Sequence, residues 1–234
     1  MTTLDLERRH LARPVEFRAT ATGPGTLFGY ASVFMRYSQN LGGFVEQVDP
    51  LAFNKSLADG NPVIARYNHD DNFLLGTTEA QTLRVSVDDI GLPYEVDLPG
   101  TSAGNDVSIL SQRGDLRYSS FAFHTIKDEW GITEQGFPLR TLLQVQLIDV
   151  APVNSPAYLD SSAGVRSLAG HLGVEVDLVA HATTEELRSL ILGEPIDIPA
   201  VESRSEEQEE ENGQGDTHPL ADLYKRKLEL HQKR

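Results

Sequence analysis

The sequence predicts a mainly β protein: a closed or strongly bent β-barrel with a few flanking helices and a largely disordered acidic C-terminal tail. Three observations carry this expectation. Short alternating or apolar runs, punctuated by glycines and turn residues, outnumber helical patterns. The helical patterns are few and isolated, which argues against a doubly wound sheet. Negative charge collects in SRSEEQEEENGQGDTHP (203–219), a segment with almost no apolar residue to offset the entropy of ordering it.

The elements follow in chain order. Residues 1–14 are expected to be a flexible arm, and because MTTLDLERRHLARP has no apolar h-region it does not read as a secretory signal. GTLFGYASVFMRYS (25–38) alternates loosely as a strand. DPLAFNKSLADGNP (49–62) reads as a short helix with Asp49 as N-cap, Pro50 at the first helical position and a stop at Gly60. VIARYNH (63–69) reads as a strand, and TLRVSVDDIGLPYEVDLP (82–99) as a hairpin around Asp88–Gly91. TSAGNDVSILSQRG (101–114) is a helix signal capped by Thr101 or Ser102 and closed by Gly114. LRYSSFAFHTIKDEWGI (116–132) and LRTLLQVQLIDVAPV (139–153) read as two long strands. Residues 15–165 thus form the expected domain and 166–202 a helical linker region, in which Thr183 and Glu186 fit a capping box and Gly193 a stop. The disordered acidic segment is 203–219, and 220–234 reads as an amphipathic helix with Leu220, Leu223, Tyr224 and Leu228 near one face, suited to docking on a partner.

Composition narrows the chemistry. The net charge of −15 argues against non-specific binding to nucleic acid or to an anionic membrane. With no cysteine, disulfides, thiolate zinc sites and a cysteine nucleophile are excluded. No apolar run is long enough for a membrane span, so the expectation is a soluble protein of the compartment in which it is made. No cofactor or metal is expected: His69-Asp70-Asp71 holds suitable donor types, but adjacent residues rarely converge on one ion.

Three residues break the strand patterns. Side chains alternate with period two, so Ser119, Phe121 and Phe123 share one face of their strand, while Tyr118, Ser120, Ala122 and His124 share the other. The phenylalanines belong in a core. Ser120 then faces the opposite way beside a small alanine, and Ser119 is the buried spectator. In TLLQVQLIDV, Asp149 falls in phase with Leu143, Val145 and Leu147, a carboxylate on an apolar face. Left unpaired there it costs several kcal/mol, so it needs an imidazole, an arginine or backbone N–H groups as partner. The alternative is that Asp149 caps the turn at APVNSP. His69 ends VIARYNH, where an imidazole is suited to proton transfer, or is a loop histidine in solvent. A hydroxyl, an imidazole and a carboxylate make up a nucleophile–base–orienter set, and the order His, Ser, Asp excludes an α/β-hydrolase.

The ordered blocks NHD…LLG, VDDIGLPYEVDLPGTSAGND, RGDLRYSSFAF and LIDVAPVNSPAY resemble the prohead maturation proteases of tailed bacteriophages, a family similar to the herpesvirus capsid-maturation proteases. The resemblance covers about 30–160 and implies a herpesvirus-protease-like fold and a serine endopeptidase of Ser-His-Asp type. Such an enzyme clips scaffold or capsid-protein extensions inside the immature capsid and then digests itself, here expected within about 160–225. Carried over residue by residue, the family histidine falls on His69, the serine on Ser120 and the acid on Asp149. The implied partner is the major capsid protein or its scaffold segment, with no nucleic acid or membrane partner, and the resemblance is compatible with a homodimer. The implied location is the procapsid within the host cytoplasm. The sequence departs from the family at Arg117, Tyr118 and Ala122, which stand where small residues are common, and at Asp149, usually a glutamate. These departures leave open a catalytically inactive scaffold or assembly protein with a protease-like fold. A serine esterase is a further alternative, and Ser119 is the alternative nucleophile. His124 is a poor third member, roughly 13 Å along the strand from Ser120.

Overall fold

The expected strands form, but they pair into two sheets rather than closing into one barrel. The computed structural model describes residues 5–11, 15–18, 23–154 and 161–194. The strands are β1 (Leu6–Leu11), β2 (Glu16–Arg18), β3 (Thr26–Val33), β4 (Val45–Val48), β5 (Ile64–Arg66), β6 (Leu74–Thr77), β7 (Leu83–Val85), β8 (Gly91–Asp97), β9 (Tyr118–Ile132) and β10 (Pro138–Val153). The helices are α1 (Asn54–Ala58), α2 (Ser102–Arg113), α3 (Ser161–Leu172), α4 (Val176–His181) and α5 (Thr184–Leu192). One six-stranded sheet runs β1-β9-β10-β5-β6, with β4 also pairing β10; the other, four-stranded, runs β2-β3-β8-β7. No strand pairing joins the sheets among the described residues. The fold is therefore mainly β with a few helices, and the closed barrel is not found.

The antiparallel pair β9–β10, 15 and 16 residues long, is the spine of the molecule. At the β9 N-terminal end, Phe121 and Phe123 enter an apolar core shared by both sheets with α1 and α2, together with Leu27, Tyr94, Val96, Phe53, Val107, Leu147 and Val150. Phe121 stacks on Phe123 at 4.9 Å and meets Phe53 edge-on at 5.5 Å. Each such ring contributes on the order of 2–3 kcal/mol by leaving water. At the far end of the pair, Phe44 and Trp130 pack with Leu41, Val165, Leu168, Val179 and Leu187 in a second cluster that holds α3, α4 and α5.

Local signals explain several boundaries. Thr101 Oγ1 accepts from Gly104 N–H at 3.3 Å to start α2, and Gly114 ends it in the left-handed region at φ 78°. The Thr183–Glu186 capping box opens α5 and Gly193 closes it. Asp49 behaves differently from expectation. Its Oδ1 accepts from Leu51 N–H at 2.8 Å, and two successive turns, Ala52 N–H to Asp49 O and Asn54 N–H to Leu51 O, delay the helix to Asn54. The aspartate caps a turn before the helix.

Two further departures matter for the site. Leu6–Leu11, within the segment expected to be a flexible arm, is an edge strand antiparallel to β9. Its Glu7 and Arg9 are buried in an ion network: Arg9 bonds Glu46 at 2.8 Å and Glu7 at 2.7 Å, and Arg140 bonds Glu7 at 2.8 Å, Glu46 at 3.0 Å and Asp128 at 2.7 Å. Isolated buried charges would forbid a strand here; mutual pairing permits it. The strand expected over 63–69 stops at Arg66, and Tyr67–Asp70 makes a tight turn closed by Asp70 N–H donating to Tyr67 O at 3.1 Å. The acidic segment 203–219 and the amphipathic helix 220–234 lie outside the described residues. No helix among the described residues is long and apolar enough to cross a membrane.

Candidate active site

Strand β9 separates its two serines as the alternation requires. Ser119 faces the core between the sheets. Its hydroxyl is 2.9 Å from Tyr94 Oη, and a Cβ on Gly29 would come within 2.8 Å of it, so the position has no room for a substrate. Burial pushes the Tyr94 phenol well above its usual range, partly offset by the Ser119 hydrogen bond, so Tyr94 stays a neutral partner. Ser120 lies on the other face, among Ala122 and the cross-strand neighbours Ala151 on β10 and His10 on β1.

Asp149 reaches that face through a bulge. Leu147 pairs with Phe123 on the core side, but the register slips between Leu147 and Asp149, and Asp149 pairs with Ala122. With strict alternation Asp149 would have followed Leu147 into the core. The extra residue, Ile148, turns it onto the face of Ser120. The sequence reading placed Asp149 on the apolar face; the carboxylate is buried, 1% exposed, but on the opposite side of the strand from Leu147.

His69 is delivered by a strained turn. β5 runs parallel to β10, with Ile64 opposite Asp149 and Ala65 opposite Val150. Directly after it, Asn68 (φ 55°) and His69 (φ 57°) both take left-handed backbone conformations. Such residues cost on the order of 1–3 kcal/mol each and persist only where surroundings hold them. Here Tyr67 N–H donates to Phe73 O, Asp70 N–H to Tyr67 O, and Phe73 N–H to Asp70 O at 3.0–3.1 Å. Asn154 N–H donates to Asn68 Oδ1 at 3.0 Å, and Tyr67 Oη is bonded to Asn154 Oδ1, which ties the turn to the end of β10.

The three side chains meet. His69 Nε2 is 2.6 Å from Ser120 Oγ, and His69 Nδ1 is 2.5 Å from Asp149 Oδ1. Asp149 Oδ2 accepts from Arg66 Nη1 at 3.0 Å. Thus Asp149 has both an imidazole and an arginine, two of the partner types its burial demanded. Ser120 Oγ also lies 2.8 Å from the Arg9 carbonyl, a second acceptor within reach of its O–H. One hydroxyl proton serves one acceptor at a time, so the bond to His69 competes with the bond to β1. The other sequence candidates fall elsewhere. His124 Nδ1 bonds the Asp5 carbonyl at 2.9 Å, and Arg117 Nε donates to Gly114 O, the C-cap carbonyl of α2, at 2.5 Å.

Sequence reasoning missed two neighbours. Arg66 is one, although a charge three residues before His69 in a short strand was its signal. His10 is the other: it sits beside Ser120 across the β1–β9 pair, and burial and then the Arg9 charge push its imidazole below the usual range. Neutral His10 accepts from Gln39 Nε2 at 3.2 Å. Nothing in LERRHL signals that its histidine meets a serine 110 residues away.

The caudovirus prohead serine protease family model matches residues 13–172. No curated protein matches the sequence. Among solved structures, the bacteriophage T4 capsid assembly protease is similar at 11% sequence identity and a TM-score of 0.46, over 66% of this chain and 100% of that one. On the family match, which spans most of the chain, this protein belongs to the caudovirus prohead serine protease family.

Proposed function

We propose that the chain is a Ser-His-Asp endopeptidase that processes scaffold or capsid-protein extensions inside the phage procapsid during head maturation. The observation that carries the reading is the unbroken hydrogen-bond chain Asp149–His69–Ser120, assembled from β10, the turn after β5, and β9. His69 Nε2 takes the Ser120 proton as Oγ forms a bond to the peptide carbonyl carbon. The imidazolium then gives that proton to the departing amine, and water repeats the sequence on the acyl-enzyme. Asp149 Oδ1 accepts from Nδ1–H, which fixes the tautomer that leaves Nε2 basic and stabilises the imidazolium. The major capsid protein or its scaffold segment is the substrate and docking partner, and the setting is the procapsid in the host cytoplasm. Self-cleavage within about 160–225 follows from confinement at high local concentration. Against the inactive-scaffold alternative, Arg117 is engaged at the end of α2, and its bulk is not directed at Ser120 by any bond.

Co-expression with the major capsid protein tests this. Ser120→Ala abolishes cleavage and preserves the fold, and a mass spectrum of the purified wild-type chain shows truncation that the variant lacks. Cleavage persisting in Ser120→Ala would move the nucleophile elsewhere.

A further inference from the structure

We infer that Arg66 is a positioning residue of this site, holding the Asp149 carboxylate in register with His69; the inference rests on the triad reading above. Asp149 is 1% exposed, so its orientation is decided by protein contacts and not by water. Its two oxygens are divided: Oδ1 faces His69 Nδ1 at 2.5 Å and Oδ2 faces Arg66 Nη1 at 3.0 Å. Rotating the carboxylate off His69 would break the second bond as well as the first. A general base must start neutral, so on the triad reading Arg66 is, among the described residues, the cation bonded to Asp149 before proton transfer. A buried carboxylate deprived of its counter-charge is strongly unfavourable.

The arginine is itself held at both ends. Its backbone closes β5, two residues from the Ile64–Asp149 pairing. Its Nη1 also bonds Asp71 Oδ1 at 3.1 Å, with Asp71 83% exposed and the Arg66 side chain 20% exposed. The guanidinium thus sits between an inner carboxylate that orients the base and an outer one in solvent. Residues 66–71 thereby carry the base, the clamp on its orienter and the clamp's outer anchor in one turn. Arg66 acts through Asp149, so its loss slows the chemical step and leaves binding unchanged.

The test uses the purified protein, each variant compared with wild type by mass spectrum for its extent of self-cleavage, and a fluorophosphonate probe, whose phosphorus is attacked by Ser120 Oγ with loss of fluoride. Labelling kinetics separate the maximal rate from the half-saturating concentration. Arg66→Met lowers the maximal rate by about 10²-fold with half-saturation within about twofold, and Arg66→Lys, which keeps the charge on a more flexible stem, recovers part of it. Asp71→Asn changes the rate by less than about threefold, as expected for an exposed pair. In the Asp149→Asn background, Arg66→Met adds less than about threefold, because nothing remains to be held. If Arg66→Met does not fold, Arg66→Gln is measured in the same way. A wild-type rate in the Arg66 variant beside an impaired Asp149→Asn overturns this inference alone. So does a loss carried by half-saturation, or one that multiplies fully with Asp149→Asn. A wild-type rate in Asp149→Asn overturns the triad reading along with it.

Discussion

The two faces of β9 differ in how they treat polar groups. On the core face, Ser119 is fully buried and paired with Tyr94, beside the apolar core that Phe121 and Phe123 enter. On the other face, two residues of similar burial, Ser120 and Asp149, are paired through an imidazole that can carry a proton. The same serine side chain is inert in one setting and, on our reading, a nucleophile in the other. The difference lies in what the second partner can do: a neutral phenol pushed up by burial holds a proton, and a carboxylate-backed imidazole moves one.

The comparison can be broken most severely at Phe123, which is fully buried on the core face. Phe123→Ala is expected to cost about 3–5 kcal/mol in denaturant unfolding while the folded fraction still labels with fluorophosphonate. Loss of labelling without loss of stability would mean that the two faces are not separate. Next in size is Glu7, which lies across from Phe123 on β1. Burial works against its charge, but the hydrogen bond and charge of Arg140, the charge of Arg9 and the Thr125 hydroxyl prevail and hold its carboxyl at about 2, below the ordinary 4.5. A depressed folded-state value stabilises the fold above about pH 4.5, and that contribution is lost as pH falls through about 2. The amount is about 3 kcal/mol, read from urea midpoints across that window. Since β1 also supplies the Arg9 carbonyl to Ser120, acid that loosens this network should release β1 from β9; a stability flat from pH 5 to about 2 would contradict the role assigned to Glu7. Smallest is Ser119→Ala, which removes one buried hydrogen bond and is expected to cost about 1–2 kcal/mol with cleavage intact.

Much of this arrangement was legible in the sequence because it depends on local rules. The alternation in RYSSFAF separates Ser120 from Ser119 without reference to any other strand. Thr101, Gly114 and the Thr183–Glu186 box set helix ends within a few residues of themselves. What escaped depends on distant partners. The bulge that turns Asp149 is a property of the β9–β10 pairing, so alternation along β10 alone assigned it the wrong face. The left-handed pair Asn68–His69 is held by Asn154 and Phe73, and no glycine announces it. β1 is unreadable as a strand because Glu7 and Arg9 look like solvent residues until Glu46 and Arg140 arrive from other strands. The closed barrel is not found for a related reason: alternation identifies strands but does not say which edges meet.

One measurement addresses the division of β9 most directly: the residue modified by a fluorophosphonate, located by fragmenting the tryptic peptide that spans 118–127. The adduct is predicted on Ser120, equally in wild type and Ser119→Ala, and absent from His69→Ala. An adduct on Ser119, or labelling that survives without His69, would contradict the account.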